Sequence, residues 1–219
     1  MVAIETQTGI SRVSRFGVAA WLLILAAVGI VTGAAFYFDA AVQGWVAVHR
    51  TSGWLAFMEE VSRWGDWPAH VVLGLLLILL AYANRKPQWV RIFAAMLVAC
   101  ALAGIAARVV KITTGRARPS VATDTSWNGP RLAANYNAFP SGHTASSTAF
   151  FAVLAFVSWR RGAAFLLIPA LVGFSRIYVS AHHLSDVTCA ALLGAGSAWL
   201  VVRLALTRTH AGQSELRVI

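Results

Sequence analysis

Three short segments gather most of the residues in this chain that can do chemistry: KITTGRARP from Lys111 to Pro119, FPSGH from Phe139 to His143, and SRIYVSAHHLSD from Ser175 to Asp186. Lys111, Arg118 and Arg176 are three cations with one local carboxylate, Asp186, so positive charge is left over for a bound anion. Phosphate fits best, because arginine offers a planar donor fork and lysine a compact charge. In FPSGH, Pro140 holds the chain at a helix entrance, Ser141 is a capping residue type, and Gly142 lets a ligand approach the main chain. A helix starting there presents free N–H groups and a positive dipole end to an anion, with His143 at the edge. In the third segment, a carboxylate that accepts a hydrogen bond from one imidazole nitrogen fixes the tautomer and frees the other nitrogen as nucleophile or base. Asp186 is four residues from His182 and three from His183, and both spacings meet on a helix. Spacing therefore leaves either histidine as the working one. His49 and His70, in a Trp-rich stretch, are read as structural.

The elements that must position these residues are set by composition. The 219 residues are 58% hydrophobic and only 12% charged, against about 25% in soluble domains, and the mean hydropathy is +0.68. Apolar runs at about Phe16–Phe38, Ala69–Ala83, Val90–Val110, Thr144–Trp159, Ala163–Val179 and Val187–Leu206 approach the roughly 17–25 residues of a spanning helix. The expected fold is thus all-α, a polytopic membrane protein of six transmembrane helices in a single domain over residues 1–219. The first run exceeds the apolar region of a secretory signal and lacks a clear cleavage site, so it is expected to stay as an anchor. Between the first and second runs, Trp54, Phe57, Met58, Val61 and Trp64 recur at helical spacing while Glu59, Glu60 and Arg63 take another face. That pattern predicts an amphipathic helix lying in the interface. Small residues at Gly29, Gly33, Ala190, Gly194 and Ala198 are positions where helices can approach closely. Cys100 and Cys189 lie in apolar runs, and no Cys/His cluster has ligand spacing, so neither a disulfide nor a metal is expected.

Six spans put both termini on one side. That side carries Arg12, Arg15, Arg85, Lys86, Arg91, Arg160, Arg161, Arg203, Arg208 and Arg217 against Glu5 and Glu215, which makes it cytoplasmic, with cytoplasmic tails at 1–15 and 207–219. The opposite side holds eight Lys and Arg against six Asp and Glu. Most of the formal +10 therefore sets orientation, and a nucleic-acid partner is not expected. The three chemical segments fall on the outer side, where the orientation rule predicts few cations. Ionisable residues at membrane edges are costly, so their gathering there marks a functional site.

In order and spacing these segments resemble the type 2 phosphatidic acid phosphatase family, integral-membrane lipid phosphatases that share their site with vanadium haloperoxidases. The family pattern K-x6-RP, PSGH, SR-x5-H-x3-D is met by Lys111 with Arg118 and Pro119, by Pro140 to His143, and by Ser175 and Arg176 with His182 and Asp186. His183 and Leu184 depart from it, standing where an aromatic residue and proline are frequent. The resemblance implies that His182 is a nucleophile forming a phosphohistidine, that Asp186 orients it, and that His143 is general acid and then base. It also implies that Lys111, Arg118, Arg176, Ser141 and the Gly142 N–H hold the phosphate, with no metal and no cofactor. The implied activity is hydrolysis of a terminal phosphate from a membrane lipid at the periplasmic face of a bacterial inner membrane. Phosphatidylglycerophosphate, phosphatidic acid, undecaprenyl diphosphate and lipid A 1-phosphate all fit. A lipid phosphotransferase using the same intermediate is the alternative, ahead of a transporter or scaffold, and the oligomeric state is open. Arg108, Arg116 and Arg131 are further cations, read as surface or interfacial, with a second phosphate or headgroup as the other reading. His183 is read as a neighbour at the pocket rim.

Overall fold

The computed structural model describes residues 17–206; the two tails expected at 1–15 and 207–219 lie outside them. The regular structure is helical, apart from one isolated bridge between Arg116 and Trp127. In chain order the helices are α1 (Val18–His49), α2 (Ser52–Trp64), α3 (Trp67–Ala83), α4 (Pro87–Thr114), α5 (Gly142–Val157), the short α6 (Trp159–Gly162), α7 (Leu167–Tyr178) and α8 (Leu184–Val201). Their limits have local causes. Asp66 caps α3, its Oδ1 accepting the Trp67 N–H at 2.8 Å, and Pro87 opens α4 where no N–H is needed. Gly115 ends α4 in the left-handed region at φ 57°.

Four stretches are long and apolar enough to cross a membrane: α1, α4, Trp159–Tyr178 and Leu184–Leu206. A fifth is added if α2 and α3, bent by 54° at their junction, form one broken span. The chain is thus an all-helical protein with four to five candidate spans. The six expected runs do not all reach that length: α3 and α5 have 17 and 16 residues, about 24–26 Å of helix against a hydrocarbon core of about 30 Å. The first helix also runs well past its apolar run, through Asp39 to His49, so the connection before α2 is short. Here α2 occupies the interval of the expected amphipathic helix. It packs on α7 through a face that buries Met58 and Ser62, with Trp54, Phe57 and Trp64 turned outward beside Glu59 and Glu60.

The centre of the molecule is α5, which is buried almost throughout from Thr144 to Ala155 and packs against α4, α7 and α8. Ala95, Ala99, Ala103 and Ala107 form an alanine stripe on α4 that joins α5 in the core. Ala190, Gly194 and Ala198 are buried on α8, as their spacing predicts. Gly29 and Gly33 do not behave this way, since each faces open space on α1. His70 joins α3 to α5: its Nδ1 lies 2.8 Å from the Asp66 carbonyl, its Nε2 3.2 Å from Ser147 Oγ, and the Phe150 and Phe151 rings meet it edge-on. His49 stacks on Trp45 within α1. His70 thus ties two helices together, while His49 packs within one.

A side chain at Gly194 runs into the α5 backbone at Ala145 and Ala149 and the Cβ of Thr148. Gly194→Val should therefore push α5 from α8 and lower stability by about 2 kcal/mol, read as a lower thermal midpoint in detergent. An unchanged midpoint would mean that the α5–α8 contact is not a close packing.

Candidate active site

The third segment starts at the end of α7 and finishes in the first turn of α8. Ser180 takes a positive φ of 55°, and the chain doubles back so that the Ala181 and His182 N–H groups both donate to the Arg176 carbonyl at 3.1 Å. His182 therefore sits in a turn before α8, and helical spacing does not govern its contact with Asp186. Its Nδ1 lies 2.7 Å from the Ala138 carbonyl and 3.6 Å from Asp186 Oδ2. A carbonyl only accepts, so Nδ1 carries the proton and Nε2 keeps its lone pair. The nearer partner is thus backbone, and Asp186 stands behind it at a distance too long for a hydrogen bond. His182 is 1% exposed. Burial pushes its pKa down to about 3, Lys111 and Arg176 adding to the shift and Asp186 opposing it. His183 is committed elsewhere: it caps α8, its N–H donates to Asp186 Oδ2 at 2.7 Å, and its Nε2 lies 3.3 Å from the Ala117 carbonyl.

Asp186, fully buried, gives its other oxygen to Arg116, whose Nη1 donates to Oδ1 at 2.5 Å. Nη2 of Arg116 donates to Asp39 Oδ2 at 2.7 Å. Asp39 also accepts the Ser185 N–H at 2.8 Å and the Ser185 hydroxyl at 2.6 Å. The surface reading of Arg116 is corrected by this: at 5% exposure it lies under the Phe36 and Trp127 rings, paired with the buried Asp186 and the part-buried Asp39. Likewise Asp186 is not the free counter-charge of Lys111, Arg118 and Arg176. Arg131 stacks on Tyr136 and is exposed.

The FPSGH segment is pinned to α8 by the Ser141 N–H, which donates to the Asp186 carbonyl at 3.1 Å. Ser141 occupies the cap position of α5 without a side-chain capping bond; its hydroxyl accepts from Thr144 Oγ1 at 3.0 Å. The anion-binding potential of this turn thus rests on the next N–H groups, those of Gly142 and His143, which have no intrahelical partner in a first turn. His143 Nδ1 stands 3.6 Å from Asp66 Oδ1. Asp66 was missed by sequence reasoning, although a carboxylate directly before Trp-Pro is a helix-start signal.

The cations converge on the same place. Lys111, in the last turn of α4, is within electrostatic reach of Arg118, Arg176, Arg108 and Asp186. His143 is within reach of Arg176 and Lys111, and His182 of the same two. Arg176 Nη1 donates to Ser62 Oγ of α2. The buried Nε atoms of Arg116, Arg118 and Arg176 have no hydrogen-bond partner. Burial lowers the pKa of Arg118 from its usual value. A cavity of about 580 Å³ opens beside these groups between α3, α4 and α5; Lys111, Gly142, His143, Asp66 and Arg108 share its lining with Leu97, Ile105 and Val109. Among the described residues no group of three His, Cys, Asp or Glu side chains is placed to hold a metal ion.

A family model described as the PAP2 superfamily matches residues 92–210, more than half of the chain. A lipid A 1-phosphatase of Rhizobium etli is 28% identical over 194 residues, covering 80% of this chain and 79% of the relative. A protein of the same name from Rhizobium johnstonii is 32% identical over 112 residues, covering 50% of this chain and 45% of the relative. The fold is similar to the crystal structure of a transmembrane PAP2 type phosphatidylglycerolphosphate phosphatase from Bacillus subtilis, with a TM-score of 0.62, 21% identity, and coverage of 82% of this chain and 92% of that one. LpxE from Aquifex aeolicus gives a TM-score of 0.56 at 20% identity over 76% of this chain and 95% of its own.

In the folded chain His182 stays neutral down to about pH 3, whereas an unfolded histidine protonates near pH 6.5. The unfolded state takes the proton first, so this group withdraws stability as pH falls from about 6.5 toward 3 and has no such effect above pH 7. By pH 5 the loss should reach about 2 kcal/mol. His182→Asn keeps a donor for the Ala138 carbonyl but does not titrate, so its thermal midpoint should fall less than the wild type between pH 7 and 5. Equal falls would show that His182 protonates in place.

Proposed function

This chain belongs to the PAP2 superfamily and is a lipid phosphatase of the membrane, and we propose that it releases a terminal phosphate from a lipid through a phosphohistidine on His182. In this reading Nε2 attacks phosphorus in line, a P–N bond forms, and the P–O bond to the leaving alkoxide or phosphate breaks. His143, protonated once the phosphate dianion has entered beside it, supplies the leaving oxygen with its proton. It then takes a proton from water, which attacks phosphorus, breaks the P–N bond and releases inorganic phosphate. Lys111, Arg118 and Arg176 hold the non-bridging oxygens, with the Ser141 hydroxyl and the Gly142 N–H as further donors. Asp186 stabilises the imidazole from behind, and the Ala138 carbonyl holds its Nδ1 proton.

The observation that carries this reading is the pairing of a buried neutral imidazole, its Nδ1 turned onto the Ala138 carbonyl, with guanidiniums whose Nε donors are unmet beside it. Phosphoryl transfer depends mainly on positioning and charge stabilisation, so fixed cations can take the place of a metal ion. The cavity beside His143, apolar along α3 and α4, supports a substrate whose chains stay in the bilayer. Lipid A 1-phosphate is the favoured substrate, because both curated relatives carry that activity in their names. A single membrane domain of six spans, with α3 and α5 as short ones, both termini cytoplasmic and the site at the periplasmic face, completes the reading. Its support is the charge asymmetry of the loops.

Purified protein should release phosphate from lipid A 1-phosphate faster than from phosphatidylglycerophosphate, phosphatidic acid or undecaprenyl diphosphate, and excess EDTA should not slow it. His182→Ala should lower the rate by about a thousandfold or more. Wild-type rates in that variant, or strict magnesium dependence, would contradict the mechanism. A doubly phosphorylated lipid product would assign transfer in place of hydrolysis.

A further inference from the structure

The first helix carries no residue of the three segments, yet it grips the turn that holds His182 at two points one helical turn apart. Asp39 binds Ser185 and Arg116, and Gln43 Nε2 donates to the His182 carbonyl at 3.1 Å. Between them stands Arg116, which divides its two terminal nitrogens between Asp39 and Asp186. Arg116 is enclosed: its flanks are covered by Phe36 and Trp127, with ring centroids 5.3 and 4.9 Å from its central carbon.

Taking His182 as the nucleophile proposed above, we infer that Arg116 and Asp39 are positioning residues that set the angle of its imidazole by holding Asp186 away from Nδ1. Asp186 is an unexposed carboxylate only 3.6 Å from that nitrogen. Left without Arg116 it keeps the His183 N–H on Oδ2 but loses the donor on Oδ1, and the Nδ1–H of His182, which now goes to the Ala138 carbonyl, is a further donor within reach. Moving that bond from Ala138 to Asp186 turns the ring and swings Nε2 off the line of attack. Arg116 prevents this by anchoring the carboxylate through Oδ1, while the His183 N–H occupies Oδ2, the oxygen that faces Nδ1. Asp39 fixes Arg116 in turn, because a guanidinium released from Asp39 can bring both its terminal nitrogens onto Asp186 and drag the carboxylate with it. Lysine cannot replace it, since one ammonium does not present two donors at fixed separation to two carboxylates. A misplacement of about 1 Å at a reacting atom costs about a hundredfold in rate.

The test is steady-state kinetics on a lipid phosphate, with kcat corrected for the folded fraction, for Arg116→Ala, Arg116→Lys, Asp39→Ala, Asp39→Asn and the double alanine variant. The expected result is a fall in kcat of about a hundredfold for either Arg116 variant and about tenfold for either Asp39 variant, with KM changed less than about twofold. In the double variant the loss should equal that of Arg116→Ala, because Asp39 acts through Arg116. Should an alanine variant fail to fold, Arg116→Lys and Asp39→Asn, which retain side-chain volume, decide alone. Unchanged kcat in folded Arg116→Lys, a rise in KM with kcat retained, or an Asp39 loss that adds in full to that of Arg116→Ala would overturn the inference. A wild-type chain that releases no phosphate from any lipid overturns the phosphatase reading instead, and is distinguishable by that control.

Discussion

One guanidinium between two carboxylates holds together the parts of this molecule that do chemistry. Arg116 follows the end of α4, Asp39 lies on α1, and Asp186 lies in the first turn of α8. Arg116 and Asp186 are buried and Asp39 is part-buried, and taking such charges out of water is expensive unless each is paired and hydrogen-bonded. Here every carboxylate oxygen has a donor: Arg116 and the His183 N–H for Asp186, and Arg116, the Ser185 N–H and the Ser185 hydroxyl for Asp39. Removing Arg116 strands the buried charge of Asp186, at a cost of about 3–5 kcal/mol. The geometry of the His182 turn follows from this network, because Asp186 also accepts the Ser141 N–H at its carbonyl and so brings the start of α5 to the start of α8.

Against that compensated half stands an uncompensated one. Lys111, Arg118 and Arg176 lie near one another, and the Nε donors of the two arginines are buried without partners. The first turn of α5 lies at the same cavity as Lys111, and its free N–H groups favour an anion. The halves differ in ion pairing: Arg116, whose own Nε also lacks a partner, is paired with two carboxylates, whereas Lys111, Arg118 and Arg176 make no ion pair among the described residues, which suits them to an anion from outside. His182 lies where the two halves meet, buried and neutral, and His143 lies on the open side, at a cavity whose walls are largely apolar. A phosphorylated lipid matches that layout, with charge at one end and hydrocarbon along α3 and α4.

The legible part of this arrangement was local. Lys111, Arg118, His143, Arg176, His182 and Asp186 stand at short spacings within three segments of the sequence, and the folded chain brings each of the others within electrostatic reach of Lys111. What stayed hidden depends on tertiary contact. Asp39 meets Ser185 across 146 positions, and the acceptor for His182 is the backbone carbonyl of Ala138, which leaves no trace in residue type. Asp39 did give one signal, a carboxylate beside an apolar run, where an ionisable residue implies a partner. Helical spacing left the choice between His182 and His183 open, and both precede α8; the two differ in burial and backbone partners, His183 being spent on capping. Helix lengths were read less well than helix positions, because α1 continues through polar residues while α3 and α5 stop short.

The central claim is that His182, and not its neighbour or His143, receives the phosphoryl group. Rapid quenching of the protein turning over a lipid phosphate, under alkaline conditions that preserve phosphohistidine, followed by fragmentation mass spectrometry of the peptide spanning Arg176 to Asp186, tests it directly. The expected result is one phosphoryl group on His182 that is absent when substrate is withheld. Phosphorylation of His183 or His143, or turnover with no phosphohistidine under conditions that trap it in a known phosphohistidine enzyme, would contradict the account.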